Sequence, residues 1–142
     1  MAYAMFTQEW AEAWAVRINE SGAYKEAART WTWPVVLALR ADPGRGVPEP
    51  LYVFLDLFQG DCRAARTARP DDLESAPYVL AADPVVWKQV LDGKLEPIPG
   101  LMRGKIKLER GSLASLLPYV QAAKELVAAA TRVDTRFPEG LT

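Results

Sequence analysis

The stretch Tyr78-Val79-Leu80-Ala81-Ala82-Asp83-Pro84-Val85-Val86-Trp87 decides how this chain is read. Its first five residues form a short apolar run, as in a buried strand. Asp83 then stands before Pro84, the arrangement of a cap ahead of proline at the first helical position. Val86, Val90 and Leu91, with Trp87, supply a helical face for burial, and Gly93 closes that helix. A strand therefore passes into a helix with no loop between them.

Working outward, Leu51 to Gln59 predicts a strand with Leu51, Val53, Leu55 and Leu57 on one face. Tyr52, Phe54, Asp56 and Phe58 share the other. Both faces are largely apolar, which places the strand centrally, covered on both sides or nearly so. Trp33 to Arg40 is a second apolar run, with Trp33, Val35, Leu37 and Leu39 together. Gln59-Gly60-Asp61 turns into Cys62 to Thr67, a more polar strand expected at an edge. Pro70 to Ser75 reads as a loop. Downstream, Pro97 to Arg103 fits one or two helical turns, and Lys105 to Glu109 alternates with Ile106 and Leu108 inward.

The two ends are helical. Thr7 to Ser21 repeats Trp10, Trp14 and Ile18 every fourth residue, with Thr7 as cap and Gly22 as stop, and a second short helix follows over Tyr24 to Thr30. Gly111-Ser112 begins a long C-terminal helix reaching about Thr131. Leu113, Leu116, Leu117, Val120, Ala123, Val127 and Ala130 form one broad apolar face on it. Pro118 lies well inside and predicts a kink or restart near Leu117, because proline lacks the amide hydrogen and crowds the preceding turn. Without the shortest pieces the order is α–β–β–β–β–α–β–α. That is an α+β layer, expected as a single domain over residues 1–142.

Composition removes much chemistry. Of 142 residues none is histidine, so the commonest general base and metal ligand is absent. Cys62 alone permits no internal disulfide, and no histidine exists to activate it. Seventeen basic against 18 acidic residues leave a net charge of −1, which argues against nucleic-acid binding by bulk charge. Met1 to Phe6 has no basic segment or long apolar run, and the longest uncharged stretch, Gly111 to Ala123, is too short to span a bilayer. A cytoplasmic, membrane-free protein is the expectation, with a homodimer an open option.

No GxGxxG, phosphate loop, HExxH or GxSxG occurs. Asp71, Asp72 and Glu74 form the best carboxylate cluster for a metal or acid–base site, yet the segment reads as a turn whose carboxylates cap amides or pair with arginines. Arg63, Arg66 and Arg69 recur every third residue. They fit either an anion clamp or a charged edge strand, and the edge is favoured. The five tryptophans are mostly core.

Two further segments carry a family resemblance. Ala76 to Asp83 followed by Leu91-Asp92-Gly93-Lys94-Leu95-Glu96-Pro97, and then Arg103-Gly104-Lys105-Ile106-Lys107-Leu108-Glu109-Arg110-Gly111, resemble the sterol carrier protein type two domain in kind and order. The match runs from Ala76 to Val127, with Leu55-Asp56-Leu57 and Gln59-Gly60 fitting more loosely upstream.

The resemblance implies a five-stranded, mainly antiparallel sheet with helices over an apolar tunnel for fatty acyl chains, acyl-CoA, sterols or phospholipids. It implies binding and transfer, with no catalytic residues and no cofactor or metal. Gly93, Gly104 and Gly111 correspond to backbone turns. The family's peroxisomal tail has no counterpart here, and Pro118 interrupts a helix expected to be more continuous in animal members.

From the matched region and its apolar faces, the expected tunnel wall is Val79, Trp87, Leu91, Leu101, Met102, Leu113, Leu116, Leu117 and Val120. The alternative is an interaction or dimerisation domain with a filled core. An enzyme acting on an acyl substrate through Asp71, Asp72 and Glu74 is the third reading.

Overall fold

Residues 2–141 are described by the computed structural model; Met1 and Thr142, which belong to the chain ends read above for address signals, lie outside the described residues. The elements, in order, are β1 (Tyr3–Ala4), α1 (Gln8–Glu20), α2 (Gly22–Ala27), β2 (Val35–Leu39), β3 (Leu51–Phe58), β4 (Asp61–Thr67) and α3 (Pro70–Ser75). There follow β5 (Tyr78–Ala82), α4 (Pro84–Leu91), α5 (Pro97–Met102), β6 (Lys107–Arg110), α6 (Leu113–Leu116), α7 (Val120–Thr131) and β7 (Thr135–Arg136).

Five strands form a mixed sheet in the order β4-β3-β2-β5-β6. Three of its ladders are antiparallel, and β2 pairs parallel with β5. The fold is thus the expected α+β layer with a mostly antiparallel sheet. The strand at the centre is β2, buried at all five positions, while β3 lies one place toward the edge. Trp33 falls before β2 and is half exposed, because Pro34 follows it and the ladder begins only at Val35. A short parallel pair, β1 with β7, fastens the two chain ends together and was not signalled by the sequence.

Register sorts the side chains. Val35, Leu37 and Leu39 stand beside Leu55, Val53 and Leu51 on one side and Tyr78, Leu80 and Ala82 on the other. This inner face carries all the helices except α3. Val36, Phe54 and Val79 point the other way and form a small second core with Ala76 and Leu73. Leu73 belongs to α3, so Pro70 to Ser75 is a helix and not the expected loop. It lies on the connection from edge strand β4 to β5, the kind of crossover a parallel partner of β2 requires.

The carboxylate and arginine clusters belong to this outer face. Asp72 is buried and accepts from Arg66 through Nε at 3.1 Å and Nη2 at 2.8 Å, and from the backbone N–H of Arg69 at 2.9 Å. Those bonds hold its carboxyl below the usual carboxylate range. Arg63 pairs with Asp56 at 3.1 Å and lies over Phe58, and Arg66 lies over Phe54. The ladder shifts register between Asp56 and Leu57, with Arg63 the extra residue, so Arg63 and Arg66 reach the same face. Strict alternation would separate them. Both guanidinium groups are already matched to carboxylates, as a charged edge strand requires.

Helix ends follow local rules with two exceptions. Thr7 caps α1 by accepting from the N–H of Trp10. Gly22 does not stop that helix; Ser21 does, and its hydroxyl then caps α2. Asp83 precedes α4, but its carboxylate pairs with Arg40 instead of capping. Gly93, at φ +77°, closes α4 with the Lys94 N–H on the Gln89 carbonyl and the Gly93 N–H on the Val90 carbonyl.

Candidate functional site: an apolar cavity under the C-terminal helices

Between the inner face of the sheet and the helices lies a cavity of about 100 Å³. Val35, Leu37, Leu57 and Leu80 form its floor. Trp10 and Trp14 close it from α1, Trp87, Val90 and Leu91 from α4, and Ile98 and Leu101 from α5. Leu116, Tyr119, Ala122, Ala123, Leu126, Val127 and Ala130 make the wall contributed by α6, α7 and the turn between them. Phe6, Tyr24 and Trp31 complete it. No polar atom contributes to its exposed lining.

The indole part of the lining is apolar because its polar edges are committed elsewhere. Trp10 donates its indole N–H to the Thr135 hydroxyl at 2.9 Å, and Trp14 donates to the Leu126 carbonyl at 3.0 Å. Trp31 donates to the Trp33 carbonyl at 2.7 Å and Trp87 to the Ala38 carbonyl at 2.9 Å. A buried indole N–H needs such a partner, and each partner turns the remaining ring face toward the cavity. Burial pushes the Tyr24 phenol up, and it pushes the nearby Cys62 thiol up to about 12. Both groups are therefore neutral at physiological pH. Among the described residues no cluster of three or more His, Cys, Asp or Glu side chains is placed to hold a metal ion.

The wall is built in two unlike halves. Beyond Gln121, α7 packs against α1, α2, α4 and α5, with Ala122, Ala129 and Ala130 buried. From Gly111 to Gln121 no residue is buried; only Leu116 and Tyr119 are half-buried. The break expected at Pro118 is present. Helix α6 ends at Leu116, a single 3₁₀ turn covers Leu117–Tyr119, and α7 begins at Val120. Pro118 offers no N–H to the Ala114 carbonyl four residues back, so the α-helical ladder fails there. Tyr119 fastens this loose half. Its hydroxyl lies 2.9 Å from the Thr30 hydroxyl, and its ring meets Trp31 edge-on at 4.9 Å between centroids.

Four of the nine residues expected from the sequence line the cavity: Trp87, Leu91, Leu101 and Leu116. Val79 does not, because it points to the opposite face of the sheet; its neighbour Leu80 takes the inner position. Met102, Leu113, Leu117 and Val120 face outward, with exposures of 68, 36, 47 and 40 %. The lining positions Leu116, Tyr119, Ala123, Val127 and Ala130 recur at helical steps of three and four through the turn, so the face toward the cavity is narrower than the broad apolar face assumed, and Leu113, Leu117 and Val120 lie to one side of it. The N-terminal lining residues Phe6, Trp10, Trp14, Tyr24 and Trp31 were missed as wall residues. The repeat of Trp10 and Trp14 was visible, but it was absorbed by the general core.

Fold and chamber together define an α+β domain whose helices enclose apolar space above a mixed sheet. No family model and no curated protein matches the chain. Among solved structures, it is 44% identical to a sterol carrier protein 2 crystal structure, with a TM-score of 0.82, over 91% of this chain and 98% of that one. It is 42% identical to a conserved hypothetical protein from Thermus thermophilus solved in solution, with a TM-score of 0.85, over 96% of this chain and 94% of that one. Sterol carrier protein 2 from Yarrowia lipolytica, in its apo form, shares the fold at 17% identity and a TM-score of 0.58, over 85% and 88% of the two chains. The chain belongs to the sterol carrier protein 2 family. No described helix is long and apolar enough to cross a membrane.

Proposed function

We propose that the protein is a non-catalytic lipid carrier that takes the alkyl part of a fatty acyl or related lipid into the cavity and leaves the head group outside. The observation that carries this reading is a lining without one polar atom, although four indole rings border it. Burying a methylene contributes about 0.8 kcal/mol, so an alkyl chain gains affinity from such walls without any hydrogen bond. A chain of roughly sixteen carbons gains a gross ~12 kcal/mol before ordering costs are deducted. Trp87, Leu91, Leu101 and Leu116 are its proposed contacts.

Size adds a condition. An apolar cavity of roughly 150 Å³ accepts one benzene, so about 100 Å³ holds only a short piece of a long chain. Loading therefore requires the wall to move, and the segment from Gly111 to Gln121 is the part with least to lose. The carboxylates Asp71, Asp72 and Glu74 lie on or beside α3 across the sheet from the cavity, which argues against an acyl-directed role for them.

The test has two arms. Organic extraction of the purified protein, followed by mass spectrometry, is expected to release an alkyl lipid. A fluorescent fatty acid is expected to load one molecule per chain, and Ala123→Trp, which fills the wall, is expected to weaken loading about tenfold or more. No uptake together with a lipid-free dimer by native mass spectrometry would overturn the reading in favour of an interaction domain.

A further inference from the structure

The two ends of the cavity can be placed along β2, where Val35, Leu37 and Leu39 follow one another on the inner face. Val35 stands beside Tyr78. The Trp31 ring lies 5.0 Å from that of Tyr78 and 4.9 Å from that of Tyr119, so the loose half of the wall covers this end. At the other end the cavity stops before Leu39. Leu37 lines it, whereas Leu39 lines a separate groove of about 370 Å³, bordered also by Val47, Leu51 and Phe137. Two residues of strand, roughly 7 Å, divide the two spaces.

The residue at that division is Phe6. It borders the cavity, while Ala4, Met5 and Thr7 around it in the chain border the groove. Trp10 stacks on its ring at 5.1 Å, and Trp87, whose indole N–H is held by the Ala38 carbonyl, meets it at 5.8 Å. Its backbone is strained. Ala4 to Thr7 is a turn closed by the Thr7 N–H on the Ala4 carbonyl at 3.3 Å, and Phe6, the third residue, has φ +61°. Glycine or asparagine suits that position, and a bulky side chain there is a steric outlier. Among the described residues the other non-glycine with positive φ is Gln59, in the two-residue hairpin between β3 and β4 where such angles are ordinary. No hairpin explains Phe6. The chain-end ladder holds its turn, with the Met5 N–H on the Arg136 carbonyl at 3.1 Å.

We propose that Phe6 sets the length of guest the cavity takes: its ring, backed by Trp87, is the fixed stop for the far end of an alkyl chain, and the groove beyond stays out of the guest's reach. This deepens the carrier reading above and rests on it. A glycine would make the same turn without strain and leave the apolar space free to run on toward the groove. The chain carries a large ring there instead, and strain kept at a ligand site points to a role for the side chain that causes it. Hydrogen bonds on both sides hold the backbone, and two anchored indoles hold the ring. The stop is therefore rigid, and surplus length must be met by the loose wall at the opposite end.

The experiment measures affinity for saturated fatty acids of graded length by displacement of a fluorescent fatty acid. In the unaltered protein each added methylene should raise affinity about fourfold up to one length, beyond which the gain gives way to decline. Phe6→Gly removes the ring while glycine adopts the turn freely, and should move that break to guests longer by about two to four carbons. Phe6→Leu, which keeps more of the packing, should move it by about one or two. Leu51→Trp, at the exposed rim of the groove, fills the groove and should leave the break in place. Lost packing alone lowers affinity at every length without moving the break, so the position of the break decides. A break unmoved in both Phe6 variants, or one that Leu51→Trp shifts to shorter guests, overturns the proposal and leaves the carrier reading standing. Absence of loading at every length in the unaltered protein defeats both together.

Discussion

Helix α1 and the segment from Gly111 to Gln121 both border the cavity, yet they are held in opposite ways. Trp10, Ala11, Trp14 and Ile18 of α1 are fully buried. Phe6 stacks on Trp10 at 5.1 Å, and Trp10 meets Trp14 at 5.2 Å. Amide side chains fasten the helix to edge strand β4 at both ends. Asn19 donates to the Cys62 carbonyl at 3.0 Å and accepts from its N–H at 2.8 Å, while Gln8 accepts from the N–H of Thr67 at 2.9 Å. The later segment buries nothing fully and depends on Leu116 and Tyr119. One side of the cavity is thus a fixed abutment and the other a poorly anchored flap. Free energies of local opening span such a range within one fold, and the low end serves whatever must move.

That contrast can be broken from the rigid side first. Trp10→Ala removes a fully buried ring and its bond to Thr135, and is expected to lower stability by about 3–5 kcal/mol in urea denaturation. Leu117→Ala, on the flap, should stay within about 0.5 kcal/mol. Similar losses for the two would erase the distinction.

The next effect concerns acid. Asp72 fastens α3 to β4, and its carboxyl is held below the ordinary value chiefly by the hydrogen bonds from Arg66, with the Arg69 N–H adding to them. A depressed carboxylate stabilises the fold above its unfolded value, about 3.9, and that contribution disappears as pH falls through the lower folded value. Asp72→Asn should therefore cost about 1–3 kcal/mol near neutrality and progressively less below pH ~4. A cost independent of pH would mean that the carboxylate's charge plays no part.

Smallest in stability, but most direct for the flap, are changes at its fastening. Tyr119→Phe loses the bond to Thr30 at a cost of about 0.5–1.5 kcal/mol and should speed release of a bound fluorescent fatty acid. Pro118→Ala permits a continuous helix and should slow it. Stopped-flow displacement reads both, and identical rates in the two variants would separate exchange from the flap altogether.

Legibility in the sequence followed the same division. The strands from Leu51 to Thr67, the helix stripe of Trp10, Trp14 and Ile18, and the stop at Gly93 were readable because each rests on local period or local backbone geometry. The choice between Val79 and Leu80 was not, since β5 is covered on both faces and both of its alternating sets are apolar. Nor was the facing of Leu113, Leu117 and Val120, because the apolar residues cover a broader arc of the helix than the cavity does, and the sequence does not state which part of that arc turns inward. Asp72 and the arginines were legible as partners, but a register shift at Arg63, invisible to strict alternation, decides which arginine meets which carboxylate.

The four indole N–H groups, each engaged by the protein, carry a last consequence. A guest in this cavity finds no free indole N–H against which its own polarity can be matched or refused. Rejection of a near neighbour then depends on length and bulk alone, and one methylene alters affinity by only about 1–3 kcal/mol. Selection among guests becomes coarse, graded by how far the flap must yield, and a homologous series should be accepted with a gradual decline at both ends instead of a sharp preference for one member.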